Sequence, residues 1–114
     1  MQFSSEVIEG NVTRVHLEGK LDIVGAAEVD LRMNVIGGSA NHLLVDLSGV
    51  TFLGSMGLRS LVVPAQVVRR RGGKVVILSP IPMVEKVLEG SRINEIIPVF
   101  HDLASALAFL GTQG

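Results

Sequence analysis

A chain of 114 residues with a formal net charge of −1 is enough for one domain and too short for two. Folding at this length buries roughly 65% of the unfolded surface, and a hydrophobic content of 47% with four aromatics, all Phe, predicts a mostly aliphatic core. The absence of cysteine excludes a disulfide framework, a thiolate zinc site and a thiol nucleophile, and the near-neutral charge gives no general attraction to nucleic acid or acidic membrane.

No apolar run approaches the roughly 18 residues of a spanning helix, since Pro, Arg, Gln and Gly interrupt each one. The N-terminal Met1-Gln2-Phe3-Ser4-Ser5-Glu6 has no basic segment and no cleavage-like site. The expectation is a soluble, cytoplasmic domain without direct membrane insertion.

In chain order, Phe3 to Ile8 and Val12 to Leu17 read as two strands, the second with the alternation of a half-buried one. Gly10-Asn11 between them suits the positive φ of a tight turn, so an N-terminal hairpin is expected. Gly19-Lys20-Leu21-Asp22 reads as a strand break, with Asp22 capping or just preceding a helix over Val24 to Ile36. Ala27, Leu31 and Val35 mark that helix's apolar face, and Gly37-Gly38-Ser39 ends it.

His42-Leu43-Leu44-Val45 is a β-prone run predicted to stop at Asp46. A short loop follows, and helical spacing begins near Ser55 and lasts to about Arg71. Leu58, Leu61, Val62, Ala65 and Val68 form its stripe. Pro64 lies inside the stripe, where it removes a hydrogen bond to Ser60 and costs about 3 kcal/mol, so a kink is expected rather than an end. Gly72-Gly73 stops the helix.

Lys74 to Leu78 is a continuous β-branched run, hence a strand buried on both faces. Ser79-Pro80-Ile81-Pro82 opens a short helix through Leu88, with Ser79 a candidate cap. Ile96 to Phe100 reads as a last strand whose Pro98 favours an edge. Asp102 then caps a helix with Leu103, Ala106, Leu107 and Leu110 on one face, and Gly111 to Gly114 is a frayed tail. The order ββαβαβαβα predicts a single α/β domain: a mixed, mostly parallel sheet with an antiparallel hairpin and helices packed on it.

Ser55 is the most informative position. A serine at a helix start sits beside unpaired N–H groups and a partial positive charge, which suits a cap and suits a phosphate. A hydrolase elbow is excluded because Leu53 stands where G-x-S-x-G needs glycine, and no triad follows from the spacing of His16, His42 and His101. The chain is expected not to be an enzyme. Asp22 and Asp46 have no third ligand at recognisable spacing, so no metal or other cofactor is expected. Gly72-Gly73-Lys74 is not a P-loop, as Val68 and Val75 replace required residues. Arg69-Arg70-Arg71 and Lys74, without Tyr or Trp for stacking, read as cations complementing a helix C-terminus rather than as a nucleic-acid site.

Asp46-Leu47-Ser48-Gly49-Val50, Phe52-Leu53, then Ser55-x-Gly57-Leu58 and Leu61 resemble the signature of STAS domains, the anti-sigma factor antagonists of bacteria. Gly19-x-Leu21-Asp22 also stands where that resemblance places the second strand and first helix, and the likeness covers nearly the whole chain. It implies that Ser55 is phosphorylated by a partner-switching serine kinase, that the unphosphorylated domain binds this kinase, an anti-sigma factor, and that a serine phosphatase restores the binding form. By the same resemblance Asp22 and Asp46 border the partner surface, and Gly54, Met56 and Gly57 contact the partner beside Ser55. Arg59, one turn after Ser55, would reach a bound phosphate or an acidic partner. One position departs: many switching members carry an acidic residue immediately before the serine, and here it is Gly54. That departure keeps open a non-switching STAS scaffold subunit of a larger complex, such as a lipid or solute transporter. A small-ligand-binding regulatory domain is the third reading, because strand ends of α/β sheets commonly hold ligands.

Overall fold

A computed structural model describes residues 1–111; residues 112–114 of the expected frayed tail lie outside the described residues. The elements are β1 (Gln2–Ile8), β2 (Val12–Leu21), α1 (Ile23–Ser39), β3 (His42–Leu53), α2 (Ser55–Arg70), β4 (Val75–Leu78), α3 (Pro82–Gly90), β5 (Val99–Phe100) and α4 (Leu103–Phe109), with a 3₁₀ turn at Ile93–Glu95. Their order is the expected one. The sheet runs β1-β2-β3-β4-β5, antiparallel between β1 and β2 and parallel elsewhere. Gly10 and Asn11 adopt φ of 78° and 59°, which lets the hairpin reverse within three residues.

Each β-α-β crossover advances one strand in the same direction, which places successive helices on one face of a parallel sheet. Val29, Met33 and Ile36 of α1, Leu61, Ala65 and Val68 of α2, and Val84 and Leu88 of α3 accordingly share one core with Val15, Leu17, Leu43, Val45, Val75 and Ile77. On the other face α4 covers Val12, Leu44, Val76 and Leu78 through Ala106 and Leu110. That small helix leaves Arg14 and His16 of β2, and Ser4 and Glu6 of β1, at the surface.

Several boundaries depart from expectation. β3 does not stop at Asp46, and Gly19 does not break β2; the two strands run on together to Leu21 and Leu53. Their pairing shifts register twice, between His16 and Glu18 and between Gly19 and Lys20, and such bulges absorb the Gly and Ser that interrupt the apolar pattern. In α1 the buried face is Gly25, Ala26, Val29, Met33, Ile36 and Gly37, whereas Leu31 is 77% and Val35 63% exposed. Gly37 and Gly38 are helical, and Gly37 packs against Pro64 of α2 so tightly that a Cβ there would lie 2.8 Å from Pro64 Cα and Cβ. α2 continues past Pro64 to Arg70. α3 is entered from Ile81, with Pro82 in its first turn, and Ser79 is a left-handed residue (φ 53°) rather than a cap. β5 holds Val99 and Phe100 alone and lies at the sheet edge beside β4.

The caps expected of the two aspartates are present: Asp22 Oδ1 accepts from the Gly25 N–H at 2.8 Å and Asp102 Oδ1 from the Ser105 N–H at 2.8 Å. The Arg69–Arg71 cluster divides differently from expectation. Arg71 reaches across to α1, donating from Nη2 to the carbonyls of Gly37 and Ala40 at 2.6 and 2.8 Å, and so satisfies the C-terminal end of another helix.

Candidate functional site

The parallel strands β2 and β3 end side by side, with Leu21 opposite Leu53. Gly54 N–H donates to Leu21 O at 3.1 Å and ties the chain leaving β3 to the end of β2. Gly54 is then the extended residue before α2 (φ −103°, ψ −178°), its carbonyl accepting the first helical bond from the Leu58 N–H at 2.9 Å. Ser55 is the first residue of α2, is exposed, and its hydroxyl has no hydrogen-bond partner among the described residues. It is not a capping serine: the cap position belongs to Gly54, which has no side chain to offer. The hydroxyl therefore stands exposed at a helix N-terminus, where the dipole and unpaired N–H groups favour an added negative charge.

Gly57 makes this placement possible. It is buried, and a Cβ on it would lie 2.3 Å from Leu21 O and 2.7 Å from Leu21 Cγ. Without a side chain, the first turn of α2 rests on the end of β2. The contribution of Gly57 to the site is thus to seat Ser55 rather than to offer surface.

Asp22 follows Leu21 and lies at the same end of the sheet, half-buried, with Oδ1 committed to the α1 cap. Met56 is 40% exposed, and Arg59 is exposed with no ion-pair partner among the described residues. Met56 and Arg59 line, with Ser60 and Val63 of α2 and Asp30 and Asn34 of α1, a groove of about 340 Å³ between the two helices. At its floor the Ser60 hydroxyl bonds to Asp30 and approaches the Met56 carbonyl at 3.2 Å. The structure thus brings Asp22, Gly54, Ser55, Met56 and Arg59 to one end of the α1–α2 layer.

Asp46 is not among them. It sits within β3 on the opposite sheet face, 5% exposed, between Arg14 (Nη2 to Oδ2, 3.0 Å) and His16 (Nδ1 to Oδ2, 3.4 Å). Burial pushes its carboxyl up, but the Ser48 N–H at 2.9 Å together with Ser48, Arg14 and His16 outweighs that and holds it below the ordinary value. Its position orders the β2–β3 pair.

The histidines are engaged elsewhere. His16 faces Asp46, His42 Nδ1 accepts from the Lys74 N–H at 3.0 Å, and His101 meets Glu85 at 2.7 Å. None bonds to Ser55 among the described residues. No group of three or more His, Cys, Asp or Glu could hold a metal ion among the described residues, and no helix there is long and apolar enough to cross a membrane.

Three exposed apolar residues at the end of the sheet where α2 begins escape sequence reasoning. Ile23 and Val24 open α1 at 72% and 67% exposure, and Phe52 near the end of β3 is 45% exposed with its ring against Gly54. A signal was present, since apolar residues directly after a capping aspartate have no turn of helix above them to pack on. It was masked because such residues look the same whether they face a core or a partner.

A family model for the STAS domain matches residues 3–106. The chain belongs to the STAS domain family. Its fold is similar to that of a candidate anti-sigma factor antagonist of Thermotoga maritima, at 20% identity over 96% of this chain and 94% of that one, with a TM-score of 0.87. An anti-sigma factor antagonist of Mycobacterium paratuberculosis is similar at 24% identity over 96% and 93%, with a TM-score of 0.84. The anti-sigma factor antagonist SpoIIAA of Bacillus, solved in unphosphorylated and phosphorylated forms, matches with a TM-score of 0.71 for each; the unphosphorylated form is 15% identical and 94% of each chain is covered.

Proposed function

We propose that this protein is an anti-sigma factor antagonist that works by partner switching, with Ser55 as the phosphorylated residue. The observation that carries the reading is the Ser55 hydroxyl, exposed and without a hydrogen-bond partner among the described residues, at the first position of α2 in a chain of the STAS family. In the unphosphorylated state Ser55, Met56, Asp22 and Arg59, with the apolar rim of Ile23, Val24 and Phe52, form the surface that meets a serine-kinase anti-sigma factor. Binding there withdraws the kinase from its sigma factor. Phosphorylation adds about −1.5 to −2 charge at neutral pH. The helix N-terminus tolerates this charge, so the domain stays folded. The partner does not tolerate it, because an uncompensated charge brought into a closed contact costs several kcal/mol. A serine phosphatase resets the switch.

The test uses the cognate kinase, ATP and three proteins. Wild type takes up one phosphate, at Ser55 by mass spectrometry. Ser55→Ala takes up none and still binds the kinase, since no cap is lost. Ser55→Asp binds at least tenfold more weakly while melting like wild type. A kinase that binds wild type but leaves Ser55 unmodified, with the acidic variant binding normally, refutes switching.

The second reading is a non-switching scaffold subunit of a larger complex. Gly54 favours it, because no carboxylate precedes Ser55. The fold is also similar to that of a sulfate transporter family protein of Wolinella succinogenes, at 16% identity over 93% of this chain and 89% of that one, with a TM-score of 0.75. Failure of the Ser55 test selects this reading.

A further inference from the structure

The two edges of the sheet differ in character. β5 is two residues long and follows Pro98, so it offers little to pair with. β1 is seven residues long, pairs with β2 from Gln2 to Ile8 without a register shift, contains no Pro, and carries one charge, Glu6, which lies opposite Arg14 on the face away from α1. Edges of that length normally carry a charge pointing inward, a proline, a bulge or a covering element, because an unguarded edge pairs with whatever strand it meets.

The flank of this edge is apolar. Phe3, Ser5 and Val7 project to the helix side, as shown by their pairing with Leu17, Val15 and Thr13. Phe3 and Ser5 line a groove of about 360 Å³ with Leu31, Arg32, Val35 and Ile36 of α1. Arg32 lies over the Phe3 ring at 5.1 Å, but Leu31, Val35 and Val7 are 77%, 63% and 73% exposed. Leu31 and Val35 lie on the face of α1 that sequence periodicity marks as buried, which is what a face closed by a second molecule would carry.

We propose that β1 pairs with β1 of a second copy, antiparallel about a two-fold axis through Ser5, so that the two sheets become one. An isologous interface must be self-complementary, and β1 is so about Ser5. Phe3 falls opposite the partner's Val7 on the helix side. On the other side Glu6 falls opposite the partner's Ser4, so the two carboxylates do not face one another. Strand pairing by itself buries little, and the exposed Leu31 and Val35 of both copies flank the paired strands with further apolar surface. Ser55 lies beside the α1–α2 groove, across α1 from this edge, and stays accessible in the dimer.

The full chain is expected to sediment as a dimer, with Val7→Lys and Leu31→Arg each weakening association at least tenfold. Both residues are exposed, so circular dichroism and melting temperature should match wild type. Geometry is tested separately in a chain without cysteine. Residues directly opposite in an antiparallel pair have Cα atoms about 4.5–5.5 Å apart, within the roughly 4.4–6.8 Å a disulfide spans. Ser5→Cys with copper phenanthroline as oxidant should therefore give a covalent dimer, and Gln66→Cys, exposed on α2, should not. Wild type that stays monomeric at millimolar concentration overturns the proposal, including the case in which such a monomer accepts an extended peptide on β1. So does a Val7→Lys protein that dimerises like wild type, or a Ser5→Cys protein that crosslinks no faster than Gln66→Cys.

Discussion

Replacing Gly57 by Ala tests how α2 is seated. The added Cβ would lie 2.3 Å from Leu21 O, 2.7 Å from Leu21 Cγ and 3.0 Å from Leu53 Cδ1, against 3.4–4 Å for ordinary contact. The nearest atom is a backbone oxygen at a strand end, which cannot rotate away, so the first turn of α2 must lift by about an ångström. Overpacking of this kind costs about 1–3 kcal/mol, and the immovable neighbour puts this case at the upper end. Alanine returns about 1 kcal/mol of helix propensity. The net loss is about 2 kcal/mol, a fall in melting temperature of about 8 °C for a domain of this size. Gly38→Ala is the control. A Cβ there meets nothing within 4 Å in an exposed helical position, so the same substitution should stabilise by about 0.5–1 kcal/mol. Calorimetry of both variants decides the matter. If Gly57→Ala melts at or above wild type, α2 does not rest on Leu21, and the account of how Ser55 is presented fails.

Other substitutions probe contacts further from the site. Arg71→Ala removes two charge-assisted bonds to the end of α1; chemical denaturation should show a loss of about 2 kcal/mol, while Arg70→Ala should stay within about 0.5 kcal/mol of wild type. Pro64→Ala regains part of the roughly 3 kcal/mol that proline costs inside a helix, but gives up about 1.6 kcal/mol of buried ring methylenes. A net gain of about 1 kcal/mol is expected, and a measured loss would show that the seat of Gly37 on Pro64 dominates. Asp46 has a folded pKa below its ordinary 3.8, so its contribution is complete above that value and is lost as pH falls through the lower folded value. Asp46→Asn should therefore lower stability at neutral pH and flatten the acid limb of the stability profile below about pH 4, as read by urea midpoints; an unchanged acid limb would refute the assignment.

Much of the fold was legible in the residues. Gly10-Asn11 specified the hairpin turn, Asp22 and Asp102 announced two helix starts, and the β-branched run before Leu78 declared a buried strand. Each depends on backbone chemistry within a few residues, so the sequence by itself determined the order of the elements and the family pattern around Ser55. Other features needed the rest of the molecule. α1 carries apolar residues on two faces, and its docking on the sheet buried Val29, Met33 and Ile36 while leaving Leu31 and Val35 outside. β3 passed through Ser48 and Gly49 because the end of β2 was there to pair with it. Arg71 found its acceptors on another helix, and Asp46 its cation on another strand. At Ser55 the motif marked the residue, but only the approach of α2 to Leu21, permitted by Gly57, decided that its hydroxyl would be left exposed at the helix start. Local propensities act between neighbours in the chain, whereas which face is buried and which polar group is satisfied are settled by partners many residues away.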